Sequence, residues 1–246
     1  MSKIKKYECC DLQKEFRDIH KGKLGFVVGC GESLIDVDAT LCEPYVILAV
    51  TEAIFKFPNA DYVFSCDGHS RKLGVWDVAE ASENTKLVSG NPTLLQPDNI
   101  KNFLVKRNES LYNYVVDRNS SNLVYGLSSA HPSLHLMHIM GCDPIVLLGM
   151  DGKHGKHQGF WLHPDFYETP ALAKAKVYYG KNPIFGHDSK HPVSNSILAG
   201  GVKYFADMKI NSPQLNVINA TKGSAIKCFP QWELDTVLEK YGDRKK

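Results

Sequence analysis

Leu24-Gly25-Phe26-Val27-Val28-Gly29-Cys30-Gly31-Glu32-Ser33-Leu34 decides how this chain is read. The apolar run Phe26 to Val28 predicts a buried strand. It breaks into Gly29-Cys30-Gly31, and Ser33-Leu34 follow where a helix or turn begins. Glycine tolerates positive φ and lets a backbone approach a ligand with no Cβ in the way. Free N–H groups at such a turn suit a phosphate. The stretch is not a full G-x-G-x-x-G and has no Walker lysine, so a tight strand-to-helix turn without a ligand stays open beside the phosphate reading.

Further strand candidates are Tyr45–Val50, Tyr62–Cys66, Thr85–Ser89, Ile145–Leu148 and Leu215–Ile218. Most are short apolar runs without polar alternation, the pattern of strands covered on both faces. Helical segments lie between several of them. Thr51–Phe57 is short and closed by Pro58; Ser129–Met140 has a Ser cap, Pro132 in its first turn and Gly141 as its stop. A helix from about 195 to 208 and a closing one near 231–241 complete the series. The alternation predicts an α/β, Rossmann-like fold with a mostly parallel sheet. Residues 1–23 read as a polar helical lead-in and 24–246 as a single domain. Residues 151–192 form an irregular His- and aromatic-rich insertion, the pattern of a functional lid.

Lys plus Arg number 29 against 27 acids, a net charge of +2 that argues against nucleic-acid or membrane partners. The basic clusters Lys3-Ile4-Lys5-Lys6 and Arg244-Lys245-Lys246 read as solvated ends. Seven cysteines without a C-x-x-C pair are the usage of reduced thiols. No stretch approaches the roughly 20 apolar residues of a membrane span, and no signal-peptide core is seen. The expectation is a soluble, cytoplasmic protein, with assembly into a homo-oligomer left open.

A second constellation lies at Tyr125-Gly126-Leu127-Ser128-Ser129-Ala130, a helix start, followed by the strand Ile145–Leu148 and then Gly149-Met150-Asp151. In open α/β sheets the carboxyl edge of the strands is where ligands bind, so this acid and the glycine-rich turn can face one crevice.

The succession G-x-G-x-S-L, Asp61-Tyr62-Val63-Phe64-Ser65-Cys66-Asp67, Ser128-Ser129-Ala130, Gly141 and Leu148-Gly149-Met150-Asp151 resembles the MptE-like superfamily. The ending Val217-Ile218-Asn219-Ala220-Thr221 with Phe229-Pro230 fits the same pattern, so the resemblance spans roughly residues 24–235. That group includes archaeal 6-hydroxymethyl-dihydropterin diphosphokinases and the motility accessory factors that transfer nonulosonic acids. The chain is also similar to bacterial sialyltransferases that use a nucleotide-activated sugar. Two positions depart from the sialyltransferases, which carry Asn where this chain has Cys30 and a polar amide where it has Thr51.

The resemblance implies that Gly29, Cys30, Gly31, Ser33, Thr51, Asp67, Ser128 and Ser129 contact a nucleotide or nucleotide-sugar donor. Gly186-His187-Asp188-Ser189-Lys190 looks like the lid segment with the sialyltransferase catalytic histidine, which assigns proton transfer to His187. Asp67 and Asp151 each have a turn reading and a ligand reading. Together they could hold Mg²⁺ in a diphosphokinase, where positioning and charge neutralisation carry most of the catalysis. His154, His157 and His163 are candidate general bases or metal ligands, or plain surface. His131, His135 and His138 recur at helical spacing; without an H-E-x-x-H glutamate they read as buried, hydrogen-bonded residues before they read as a zinc site. Ser128 and Ser129 are N-cap residues at minimum.

The leading functional expectation is a glycosyltransferase moving a sugar from a nucleotide-activated donor to an unknown acceptor, with His187 and Asp151 as catalytic residues. The alternatives are an ATP- and Mg²⁺-dependent diphosphokinase and a non-catalytic nucleotide-binding module.

Overall fold

The computed structural model describes residues 10–66, 74–82, 86–89, 101–102, 114–155, 159–160, 166, 173 and 192–246. Among these residues seven strands form one sheet: β1 (Gly25–Val28), β2 (Val46–Val50), β3 (Tyr62–Ser65), β4 (Lys86–Ser89), β5 (Lys101–Asn102), β6 (Ile145–Leu148) and β7 (Val217–Asn219). Their spatial order is β5-β4-β3-β2-β1-β6-β7, and every neighbouring pair is parallel. All strands therefore present their carboxyl ends at one edge. The chain steps from β1 through β5 in one direction, then returns to place β6 on the other side of β1, so the order reverses between β1 and β6.

The central strands β1, β2 and β6 are buried at every position, which is why they read as continuous apolar runs. Their side chains alternate between two cores. Val27, Leu48 and Leu147 face one side with Leu136 and Met137 of α3 (Ala130–Ile139) and Phe205 and Met208 of α4 (Pro192–Asn211). Phe26, Val28, Ile47, Val146 and Leu148 face the other, with Val75 and Trp76 of α2 (Val75–Ala81) and Val237 of the closing helix Leu234–Tyr241, here α5. Helices on both faces of a parallel sheet make the fold α/β and Rossmann-like, as the alternating pattern predicts.

Several boundaries differ from the sequence reading. Among the described residues the polar lead-in contributes α1 (Leu12–Phe16), opened by the Asp11 carboxylate accepting from the Gln13 and Lys14 N–H groups. Thr51–Phe55 is a 3₁₀ helix, and α4 runs longer than expected at both ends. Gln231 pairs with Asn219 instead of opening the last helix. Strand β5 has two polar residues and carries no apolar signal. Most of the proposed lid lies outside the described residues, as do Asp67, His157, His163 and His187.

Helix α3 is deeply packed: of its residues Ala130–Ile139, all but His138 are buried. It stops at Gly141, whose φ of +88° suits glycine. Ser129 holds the N-cap position, but its hydroxyl accepts from the Cys66 N–H at 2.9 Å and makes no cap bond to the helix. That bond joins the start of α3 to the end of β3.

The histidines of α3 are structural. His135 Nδ1 accepts from the Val124 N–H at 2.9 Å and Nε2 faces the Asp117 carbonyl at 2.9 Å. A carbonyl only accepts, so Nε2 carries the proton and the ring is neutral. His131 is held alike: Nε2–H donates to the Gly201 carbonyl at 3.0 Å, and Nδ1 accepts from the Ser128 hydroxyl at 3.1 Å. The His131 ring also packs 4.3 Å from that of Phe205.

Burial disfavours the charged imidazolium and pushes His135 from its ordinary 6.5 down to about 4. A histidine depressed in the folded state contributes stability that is complete above its unfolded pKa and is lost as pH falls below it. Between pH 7 and pH 4 this one residue removes about 3 kcal/mol of stability, and His131 is lowered by burial in the same sense. Urea unfolding at pH 7, 5.5 and 4.5 is expected to show this decline, and His135→Gln to flatten it, whatever that variant's stability at pH 7.

Candidate functional site

Ligands of open parallel sheets bind outside the strand carboxyl ends where the strand order reverses. Here that point lies between β1 and β6, where Gly29-Cys30-Gly31 leaves one strand and Gly149-Met150-Asp151 leaves the other. The two turns interlock. The Gly29 N–H donates to the Leu148 carbonyl and the Gly31 N–H to the Gly149 carbonyl, each at 2.7 Å. A Cβ on Gly29 would stand 2.6 Å from the Gly149 oxygen, and one on Gly149 would stand 2.8 Å from the Gly29 oxygen. Gly149 also has a φ of +62°. A Cβ on Gly31 would meet the Asp151 carboxyl group.

The glycines are therefore explained by backbone against backbone. The Gly29 and Gly31 amides, read from sequence as phosphate donors, are spent on the last carbonyl of β6 and the one that follows it. Ser33 follows the same logic: its N–H, at 3.2 Å, and its hydroxyl both donate to the Asp151 carboxylate. Asp151 thus fills the anion position at the start of the 3₁₀ helix Glu32–Asp36.

A second staple joins β6 to β7. The Thr221 hydroxyl accepts from the Met150 N–H at 3.1 Å and donates to the Leu147 carbonyl at 3.3 Å. The Ser224 hydroxyl donates to the Met150 carbonyl at 2.7 Å, and the Ala225 N–H donates to the Asp151 carbonyl at 2.7 Å. Three adjacent loops, after β1, β6 and β7, form one hydrogen-bonded wall.

On the β2 side the Cys30 thiol donates to the Val50 carbonyl at 3.1 Å and touches the Thr51 hydroxyl at 3.2 Å and a Glu52 carboxylate oxygen at 3.5 Å. Burial, and then the negative charge of Glu52, hold this thiol well above its ordinary pKa. Cys30 is thus a protonated packing group, without the thiolate that nucleophilic or metal chemistry requires. Thr51 is a β-branched residue at φ +49°, in the left-handed region. Such backbone costs on the order of 1–3 kcal/mol and gathers at functional sites. Glu52, overlooked in the sequence, is an acid with only 7% of its surface exposed, held beside Cys30. Its position directly after Thr51 at a strand's carboxyl end was the available signal.

In front of the wall lies an open cleft of about 530 Å³, lined by Glu32, Ser33, Ile35, Asp36, Asp151, Lys153, Gly155 and Lys222. The fold thus brings Gly29, Cys30, Gly31, Ser33, Thr51 and Asp151 together. Ser128 and Ser129 stand on the same sheet edge, tied to His131 and to the end of β3, two strands from β1. Asp67 and His187 are not among the described residues, so the Asp67–Asp151 metal pair has one described member. Among the described residues no three His, Cys, Asp or Glu side chains are grouped to hold a metal ion. Glu32, Asp36 and Asp151 line the cleft without forming such a group.

No protein-family model matches this chain, and no curated protein matches it significantly. No helix among the described residues is long and apolar enough to cross a membrane.

If the interlocked turns hold the edge together, Gly29→Ala forces them apart, because the obstructing atom is a carbonyl oxygen that cannot swing away. The expected loss is roughly 1–3 kcal/mol, read as a lower urea midpoint with an unchanged far-UV spectrum. An unchanged midpoint would mean the two turns are not in contact.

Proposed function

We propose that the chain is a nucleotide-dependent transferase, with sugar transfer from a nucleotide-activated donor as the first reading. The observation that carries it is the cleft at the β1–β6 switch point, the place where parallel α/β sheets hold nucleotides. The resemblance to MptE-like proteins and bacterial sialyltransferases points the same way.

In this reading Gly29 and Gly31 form the floor against which the donor lies, and the Ser33–Asp151 pair fixes its rim. The Cys30–Thr51–Glu52 group offers a hydroxyl and a carboxylate to ribose or base, in place of the sialyltransferase amides. Ser128 lies further along the edge, where the nucleotide extends. His187, assigned from the resemblance, deprotonates the acceptor hydroxyl or protonates the leaving phosphate. Partners are thus a small-molecule donor and an acceptor of unassigned class.

A second reading is favoured by the acids and lysines that share the cleft: diphosphate transfer from ATP to a hydroxymethyl pterin, with Mg²⁺ supplying charge neutralisation between phosphates and carboxylates. Strict Mg²⁺ dependence with release of AMP marks this chemistry, and binding without turnover marks a module that keeps only the pocket.

A thermal-shift screen with CMP, UDP, GDP, ADP and ATP, each with and without Mg²⁺, separates these. A ligand at a hundredfold its Kd stabilises by about 2.7 kcal/mol, a rise of a few degrees. Stabilisation by CMP or one nucleoside diphosphate without metal supports sugar transfer; stabilisation by ATP or ADP only with Mg²⁺ supports the diphosphokinase. No shift with any nucleotide contradicts both.

A further inference from the structure

If the amides of the glycine-rich turn are already bonded, the phosphate charge of a donor must be met elsewhere. Lys153 and Lys222 both line the cleft, from the loops after β6 and β7. Both are exposed and make no ion pair among the described residues. The Lys153 ammonium reaches the turn that carries Lys222: it lies 3.6 Å from where a Cβ on Gly223 would stand. Gly223 itself adopts φ +69°.

The loops that carry the two lysines are the ones tied by Thr221, Ser224 and Ala225, so the amines rise from a rigid base. The nearby acids are differently placed. Asp151 already accepts two hydrogen bonds from Ser33, and the Glu32 carboxylate lies against Gly155. A third observation concerns His154, which follows Lys153. Its Nε2 is buried and has no hydrogen-bond partner among the described residues.

Resting on the nucleotide-transferase reading, we infer that Lys153 and Lys222 clamp the diphosphate of the donor, at the β6–β7 end of the cleft and away from the glycine-rich turn. Ammonium groups bind phosphate oxygens through charge-assisted hydrogen bonds, and two of them match the two phosphoryl groups of a diphosphate. The nucleoside then extends along the carboxyl edge toward β2 and the Thr51–Glu52 corner.

The test is calorimetric titration of the full chain with inorganic pyrophosphate and with CMP, UDP, GDP, ADP and ATP, each with and without Mg²⁺. The proteins are the wild type, Lys153→Ala, Lys222→Ala, the double alanine variant and the double arginine variant. Because both side chains are exposed, the variants are expected to keep the wild-type unfolding midpoint. Each single alanine change is expected to weaken binding roughly tenfold and the pair roughly a hundredfold, while the arginine variant retains most of the affinity. Nucleotide binding that is equal in wild type and double alanine variant overturns the clamp and leaves the transferase reading standing. Pyrophosphate binding that depends on the lysines, with no nucleotide bound, supports the clamp and overturns the transferase reading. If neither pyrophosphate nor any nucleotide binds the wild type, both fall.

Discussion

Everything at the carboxyl edge of this sheet depends on one close approach, the backbone of Gly29 against that of Gly149. Their mutual distance leaves no room for a Cβ on either residue, and the Gly29 and Gly31 amides close onto the Leu148 and Gly149 carbonyls at 2.7 Å. Parallel strands β1 and β6 must diverge somewhere past their carboxyl ends, because their chains continue in different directions. Here divergence is delayed by one more pair of bonds. The crevice consequently opens in front of the interlocked turns, facing Ser33, Asp151, Lys153 and Lys222.

A chain of polar commitments extends that wall on both sides. Thr221 and Ser224 bind the β7 loop to the β6 loop, while Cys30, Thr51 and Glu52 bind the β1 turn to the β2 end. Buried groups like these cost free energy unless their partners are well placed, so each satisfied bond also restricts where its loop can sit. The strained Thr51 backbone persists within this network, as such outliers do where the surroundings over-determine them. Beneath one face, neutral His131 and His135 use both ring nitrogens to fix α3 against α4 and the 117–124 segment. Rigid loops on a rigid sheet are what a site for a multi-part ligand needs.

The sheet was legible because its central strands are covered on both faces, which turns Phe26–Val28, Val46–Val50 and Ile145–Leu148 into apolar runs that no helix of that length would need. Two-residue β5 was not, since Lys101 and Asn102 are both polar and carry no apolar signal. In the site, the glycine motif announced a close approach but not its partner. A phosphate and a neighbouring carbonyl make the same demand for a missing Cβ, and only the fold tells them apart. Likewise Ser129 reads as a cap, yet its hydroxyl serves Cys66 across the sheet edge. Lys153 and Lys222 were invisible as a pair: they stand 69 positions apart in the chain, and the alignment of β6 with β7 brings their loops to one cleft.

Amide hydrogen exchange of Gly29 and Gly31, followed by NMR with and without a nucleoside diphosphate, tests the central claim most directly. If the two turns are locked together, both amides exchange slowly in the free protein and their protection barely changes when ligand is added. Rapid exchange in the free protein, slowed strongly by the nucleotide, would show that these amides are the phosphate cradle after all and would contradict the account.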